Sequence, residues 1–129
     1  MNIRALQRGL QYCGRVDAIR QTYHVFDGKG LYLVLSFARA RTRRGSGYFN
    51  LVGKQAVDYV HGRFGGKRGV TANAVVAAAR RTHHIPNRLL ALNVLYVLVA
   101  LGYAAIDRTG EHRQLFFSVR KRVRAAGVT

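Results

Sequence analysis

Apolar and polar residues alternate along the first half of the chain, which predicts β-strands there. Runs at 19–26 and 31–37 predict a hairpin joined by the turn DGKG at 27–30, and a third strand follows at 48–52. The Asp-Gly pair of this turn is expected to supply the positive φ angles that a tight hairpin requires. The first half therefore predicts an antiparallel sheet.

The same alternation predicts which face of the sheet is core. Successive side chains of a strand point to opposite faces. The larger apolar ones fall on one face, at Leu31, Leu33, Leu35 and Phe37, with Phe49 and Leu51 able to share it. The other face carries Tyr32, Val34, Ser36 and Ala38. We expect the first face to pack against the rest of the protein.

Helical spacing replaces alternation at the N-terminus and in the second half. It predicts a short amphipathic helix at 3–13, ended by Gly14, and further helices at 54–64, 71–81 and 87–101. Thr71 is a suitable N-cap for the second of these three. A C-terminal hairpin is predicted from strands at 103–107 and 114–119.

These elements predict one α+β domain at 1–119, followed by a basic, flexible tail at 120–129. The predicted order is an N-terminal helix, a three-stranded antiparallel sheet, three helices and a C-terminal β-hairpin. Three helices followed by a hairpin is also the order of a winged helix. No OB barrel is expected.

The net charge of the chain indicates that this globular domain binds a polyanionic partner. The 129 residues carry 22 Lys+Arg against 5 Asp+Glu, a formal net charge of +17, while 49% of them are hydrophobic. The chain can therefore bury a core and still attract a polyanion. Eighteen of the basic residues are Arg, whose planar fork binds phosphate and stacks on rings.

The same composition disfavours an enzyme, a cofactor and a metal site. Carboxylates for acid-base or two-metal chemistry are few, and only Asp107 and Glu111 lie close in sequence. Cys13 is the only cysteine, so a disulfide within the chain and a cysteine-rich zinc cluster are excluded. The N-terminus does not resemble a signal peptide. The apolar stretch 89–106 contains Asn93 and Gly102, and its uninterrupted apolar part is too short to span a bilayer. We expect a cytoplasmic, nucleoid-associated protein without a membrane partner.

The strongest candidate site lies between residues 39 and 49. It combines side chains that bind phosphate or stack with bases, namely Arg39, Arg41, Arg43, Arg44 and Tyr48. Phosphate contacts beside exposed rings are what single-stranded nucleic acid requires. The alternative is an edge strand protected from aggregation by charge. Four arginines without a nearby acid exceed that need, which favours binding.

Two weaker signals accompany this segment. A second basic cluster, Arg63, Lys67 and Arg68, lies in and beside a Gly-rich connection. Tyr32 and Tyr48 fall outside the predicted core phase, so they are candidates for base stacking rather than packing.

The helix at 87–101 bears on both assembly and function. It is apolar around nearly its whole circumference, so part of it is expected to be covered by another subunit of a homo-oligomer. It also offers almost no polar side chain to a DNA major groove. This disfavours duplex reading in the winged-helix manner.

Two stretches, GKGLYLVLSFARARTRRGSGYFNLV and GVTANAVVAAARRTHHIPNRLLALNVLYVLVALGYAAI, resemble the ThermoDBP-type single-stranded DNA-binding proteins of hyperthermophilic archaea. The resemblance spans about residues 3 to 119. It implies a non-OB α+β fold, an oligomer and sequence-tolerant binding in an apolar cleft with a basic rim. That rim would be Arg39, Arg41, Arg43, Arg44 and Lys54, and the cleft would draw on Tyr32, Tyr48 or Phe49.

The sequence thus predicts a non-enzymatic, sequence-tolerant single-stranded DNA-binding protein. Three alternatives stay open. The chain could be a duplex-DNA transcription or chromatin protein, or an RNA-binding protein, because nothing in the sequence distinguishes the 2′-hydroxyl. A magnesium-dependent nuclease built on Asp58 or Asp107 is the least favoured.

Overall fold

The computed structural model describes residues 9–19, 21–38, 47–80, 85–107 and 114–122. The strands are β1 (Gln11–Asp17), β2 (Gln21–Asp27), β3 (Leu31–Ala38), β4 (Gly47–Gly53), β5 (Ala104–Ile106) and β6 (Phe117–Val119). The helices are α1 (Lys54–Phe64), α2 (Ala72–Ala78) and α3 (Arg88–Ala100). The chain is an α+β protein in which the main sheet comes first.

The first four strands form one antiparallel sheet in the order β1-β2-β3-β4, and β5 pairs with β6 in a second, two-stranded sheet. Neither closes into a barrel. The predicted β2–β3 hairpin is confirmed, and Gly28 N–H donates to the Leu31 carbonyl at 2.9 Å across its turn. The positive φ angle falls on Gly30, at 75°, rather than on the Asp-Gly pair.

The predicted helix at 3–13 is wrong from Gln11 onward, because β1 begins there; residues 1–8 lie outside the described part of the chain. Tyr12 pairs with Phe26 and Gly14 pairs with Val25, so Cys13 is the extra residue of a β-bulge. A bulge shifts the alternation by one position, which hides the strand from a search for period two. Gly14 does not end a helix. A Cβ there would lie 3.0 Å from the carbonyl oxygen of Ala100, so glycine lets α3 approach the sheet.

The predicted core face of the sheet is also wrong. The helices cover the inner face, defined by Val16, Tyr23, Val25, Val34 and Val52. The opposite face carries Leu33, Leu35, Phe37, Phe49 and Leu51, and none of these belongs to the core cluster or packs against it. Both faces are apolar, so hydrophobicity alone could not choose between them. Small valines fit beneath the large buried side chains of α3, and close packing decides the choice.

α3 is the central helix of the core. Its residues Asn93 to Leu98 are all buried, and the rings of Tyr96 and Tyr23 stack at a centroid distance of 4.1 Å. Asn87 caps its N-terminus by accepting a 2.8 Å hydrogen bond from Leu90 N–H. Gly102, with φ of 83°, follows its C-terminal end as predicted.

This placement removes the reason for predicting an oligomer through 87–101. The chain's own sheet and helices bury most of the apolar circumference of α3, and of its large apolar side chains Leu89 alone is strongly exposed. A homo-oligomer therefore stays a prediction without support from this helix.

The shorter elements follow the sequence closely. Thr71 caps α2 as predicted, since its Oγ1 accepts from Ala74 N–H at 3.1 Å, but the helix ends at Ala78 rather than at 81. β5 and β6 form the predicted C-terminal hairpin, and Val70 bridges to Phe117. Beyond it, Arg120 N–H still donates to the Tyr103 carbonyl at 2.8 Å, so the described chain remains attached at the start of the predicted tail.

Candidate nucleic-acid interface

The face of the main sheet opposite the helices is lined with apolar and aromatic side chains. The apolar and aromatic members of this outer face, together with His24, are Tyr12, His24, Phe26, Leu33, Leu35, Phe37, Phe49 and Leu51; Arg15, Asp17 and Thr22 lie on the same side at one end of β1 and β2. Among the most exposed are Phe37 at 45%, Phe49 at 56% and Leu51 at 54%. Large exposed apolar patches mark sites of interaction, so the outer face is the leading candidate site.

Its rings contact one another across the strands. Tyr12 and Phe26 meet edge to face at a centroid distance of 5.2 Å, and His24 meets Phe37 similarly at 5.9 Å. A hydrogen bond of 3.1 Å joins the Tyr12 hydroxyl to Nδ1 of His24. These contacts hold a row of rings in place across β1, β2 and β3, which lowers the entropy lost when a partner binds.

Phe49 extends the aromatic surface onto β4, where it pairs with Leu35. The sequence named Phe49 as a site residue but missed Tyr12, His24 and Phe37. The signal for His24 and Phe37 was that the alternation in β2 places His24 on the same face as Phe37 of β3. The sequence analysis assigned that face to the core, so these residues were not considered for binding. Tyr12 could not be found in this way because of the bulge at Cys13.

The four predicted phosphate-binding arginines, Arg39, Arg41, Arg43 and Arg44, lie outside the described residues. In the sequence they fall between the end of β3 at Ala38 and the start of β4 at Gly47. Phe37 pairs with Gly47 at the last register position of these strands. The outer-face ring of Phe37 therefore lies at the end of the sheet from which the arginine-rich segment leaves.

Tyr48 is 69% exposed, but it does not share a face with Phe49. It pairs with Ser36, whose hydroxyl donates to the Tyr48 carbonyl at 3.3 Å, and it alternates in phase with the buried Val52. Tyr48 and Phe49, two of the alternatives for the predicted aromatic contacts, thus point to opposite sides of β4.

Tyr32 and Lys54 lie toward the other end of the sheet. Tyr32 pairs with Val52, four positions from the Ser36–Tyr48 pair, a separation of about 13 Å along a strand. Lys54 Nζ lies 2.7 Å from Oδ1 of Asp27 and 5.4 Å from the centroid of the Tyr32 ring. The hydrogen bond to Asp27 raises the pKa of Lys54, and burial raises the pKa of Tyr32. Lys54 is therefore engaged by a carboxylate within the chain.

The structure brings together two members of the second basic cluster. Arg63 Cζ and Lys67 Nζ each lie 5.5 Å from the centroid of the Phe64 ring. Arg68 is exposed beside them in the chain. Cations over an aromatic ring stabilise their own packing, so this cluster has a structural role that needs no ligand.

Neither metal nor membrane features stand out in the described residues. No three His, Cys, Asp or Glu side chains there are grouped as a metal site. No helix among those described is long and apolar enough to cross a membrane.

Comparison of the chain with protein-family models, with curated proteins and with solved structures gives no match. The resemblance to ThermoDBP-type proteins stays an expectation from the sequence pattern. The functional argument therefore depends on the outer face and on charge.

Proposed function

We propose that the protein binds single-stranded DNA without sequence preference, with bases stacked on the outer face and phosphates held by arginines. The observation that carries the proposal is an exposed aromatic sheet face on a chain of net charge +17. Rings accept any base, because every base has a π-face. Sequence tolerance follows from that chemistry.

The two parts of the interface have different tasks. Phe37 and Phe49 supply flat apolar surface, while Arg39, Arg41, Arg43 and Arg44 follow or precede them closely in the chain. Phosphate contacts supply affinity and position, and stacking distinguishes an unpaired strand from a duplex. In a duplex the bases already stack on each other, so the rings have no exposed base to contact.

A winged-helix mode of duplex binding gains no support from α3. Its central residues Asn93 to Leu98 are buried within the chain, and a recognition helix must present polar side chains to a groove. Duplex reading by α3 is therefore not part of the proposal.

The decisive experiment changes rings while keeping apolar surface. The double variant Phe37→Leu/Phe49→Leu should weaken binding of a labelled single strand by about tenfold or more, since base–aromatic stacking contributes about 1–3 kcal/mol per base. Leu89→Ala, which removes an exposed apolar side chain from the helical layer, is the control and should bind normally. Unchanged affinity in the double variant would reject the outer face as the interface.

Competition assays test the class of ligand. Single-stranded DNA should compete better than duplex of the same sequence, and RNA of that sequence shows whether the 2′-hydroxyl matters. If duplex competes best, the proposal is wrong. A stable dimer that excludes DNA and is lost in Phe37→Leu/Phe49→Leu would instead assign the outer face to a second copy of the chain.

A further inference from the structure

A cleft of about 690 Å³ opens on the helical layer, away from the outer face. The lining of this basic cleft includes Asp58 and His61 of α1, Tyr103, and the basic wall Arg120, Lys121 and Arg122. Sites for small molecules occupy roughly 300–1,000 Å³. The cleft therefore has room for a mononucleotide but not for a duplex.

The basic wall of this cleft lies close to the C-terminal end of α1, because Gly65 has no side chain that would separate them. A Cβ at Gly65 would lie 3.2 Å from the backbone nitrogen of Arg122 and 3.4 Å from the carbonyl oxygen of Arg120. Gly66 N–H donates to the Val119 carbonyl at 2.8 Å, and Arg120 N–H donates to the Tyr103 carbonyl at the same distance. The backbone of the basic wall is thus fixed on both sides, while its side chains remain exposed.

The charges in the cleft favour an anion at one wall. Arg120, Lys121 and Arg122 supply three cations against the single carboxylate of Asp58. No ion pair with Asp58 is formed within the described segments. One guanidinium group can donate two parallel hydrogen bonds to two oxygens of the same phosphate. A phosphate group therefore suits the basic wall.

Aromatic rings and one orphaned nitrogen complete the cleft. The rings of His61 and Tyr103 stack at 4.8 Å with an interplanar angle of 21°, and Tyr103 is 45% exposed. Nε2 of His61 is buried without a hydrogen-bond partner in the described part of the chain. Buried polar atoms are nearly always paired, so this nitrogen is an exception, and the exposed ring of Tyr103 is the part of this wall that a ligand can contact.

We propose that the basic cleft binds a nucleotide, with phosphate at Arg120–Arg122, the base against Tyr103, and a base amino group donating to Asp58. Guanine suits a carboxylate best because its N1–H and exocyclic amino group present donors side by side. Uracil suits it least, since its one N–H lies between two carbonyl groups. This site is separate from the outer face and does not depend on the proposed function.

The test titrates the full chain with GMP, UMP, ribose 5-phosphate and inorganic phosphate, followed by calorimetry and amide NMR shifts. GMP should bind tightest and should shift the amides of residues 58–61, 101–103 and 120–122. Arg120→Gln/Arg122→Gln should weaken GMP by about tenfold or more, because hydrogen bonds to charged groups are the strong ones. Lys29→Gln/Arg80→Gln removes the same charge elsewhere and should change GMP affinity by less than about twofold.

Asp58→Asn provides the sharper readout, because it changes the base preference apart from general charge. The ratio of GMP to UMP affinity should fall toward one, even where loss of the carboxylate strengthens binding of every phosphate. Equal affinity for all four compounds in the wild type would overturn the proposal. So would an equal loss in the Lys29→Gln/Arg80→Gln control.

Two further measurements complete the test. One distinguishes a strand end from a free mononucleotide as the ligand, and the other distinguishes the basic cleft from the outer face. A 5′-phosphorylated oligonucleotide that outcompetes its 5′-hydroxyl form, with the advantage lost in Arg120→Gln/Arg122→Gln, identifies a strand end as the ligand. Binding of free GMP without that advantage identifies a mononucleotide. Phe37→Leu/Phe49→Leu should leave GMP binding unchanged, so either site can fail without the other.

Discussion

The two faces of the main sheet are both apolar, yet the helical core packs on only one of them, and on the other only Leu33 of the described side chains is buried. On the inner face Val25, Val34 and Val52 have no exposed surface, whereas Phe37 and Phe49 on the outer face are about half exposed. The inner face combines small branched valines with Tyr23, whose ring stacks on Tyr96, whereas the outer face carries leucines and aromatic side chains. Apolar content therefore did not distinguish the face beneath the helices from the opposite face; the fit beneath α3 did.

The largest expected effect comes from placing the same charge on each face. Val34→Asp should destabilise the fold by about 4 kcal/mol or more, because it buries an unpaired carboxylate. Leu51→Asp should cost about 1 kcal/mol or less, since Leu51 is 54% exposed. Urea denaturation of both variants measures the difference. Similar losses would mean that the outer face is covered in the folded protein, and the comparison would fail.

Salt should have the next largest effect on strand binding, because it weakens the proposed arginine–phosphate contacts. If about five phosphates of a single strand are neutralised, log affinity should fall with log salt at a slope of about −3 to −4. That slope corresponds to about a hundredfold loss between 50 and 200 mM salt. Fluorescence titrations at several salt concentrations check it. A flat line would remove arginine–phosphate contacts from the mechanism.

The arginine segment can be tested in the same assay. Arg41→Ala/Arg43→Ala/Arg44→Ala should weaken binding to all strand sequences alike and should make the slope less negative. The triple Lys variant at these positions keeps the charge and is the matched control for the slope. Loss of affinity for one sequence only would indicate direct base reading instead.

Alkaline pH should loosen the inner face. Burial raises the pKa of Tyr96, so the folded state keeps the phenol protonated while the unfolded chain loses its proton near pH 10.0. Stability is therefore complete below pH 10 and falls as the pH rises above it, by about 1.4 kcal/mol per pH unit for this group. Tyr96→Phe should flatten that fall in urea denaturation measured against pH. The control is Tyr48→Phe at an exposed position; equal behaviour of the two variants would contradict the role of Tyr96.

Hydroxyl removal should produce the smallest difference. Tyr59→Phe deletes a 2.8 Å hydrogen bond to the Ala78 carbonyl between α1 and α2 and should cost about 1 kcal/mol. Tyr12→Phe deletes the exposed hydrogen bond to His24 and should cost about 0.5 kcal/mol or less. Thermal unfolding compares them. A larger loss at Tyr12 would show that the outer-face ring row contributes to folding as well as to binding.

The candidate sites were predictable to different extents. Phe49 of the outer face was predicted from the sequence. The arginines at 39, 41, 43 and 44 were predicted as well, and they are the main source of positive charge in the proposed single-strand site. The cleft at Asp58, His61, Tyr103 and Arg120 was not foreseen, because its walls come from separate segments of the chain, at 57–61, 101–103 and 120–122. Neither the periodicity nor the residue spacing within one segment predicts that these segments come into contact.

The sequence by itself determined the elements whose signals are local. The β2–β3 hairpin, the N-cap at Thr71, the stop at Gly102 and the charge of +17 all follow from neighbouring residues or from composition. Only the tertiary structure decided that Gln11–Asp17 is a strand and which sheet face is buried. Both outcomes depend on how α3 packs, through its contact with Gly14 and its large side chains over the valines. Packing of that kind is a property of distant segments in contact, which an alternation within one strand does not contain.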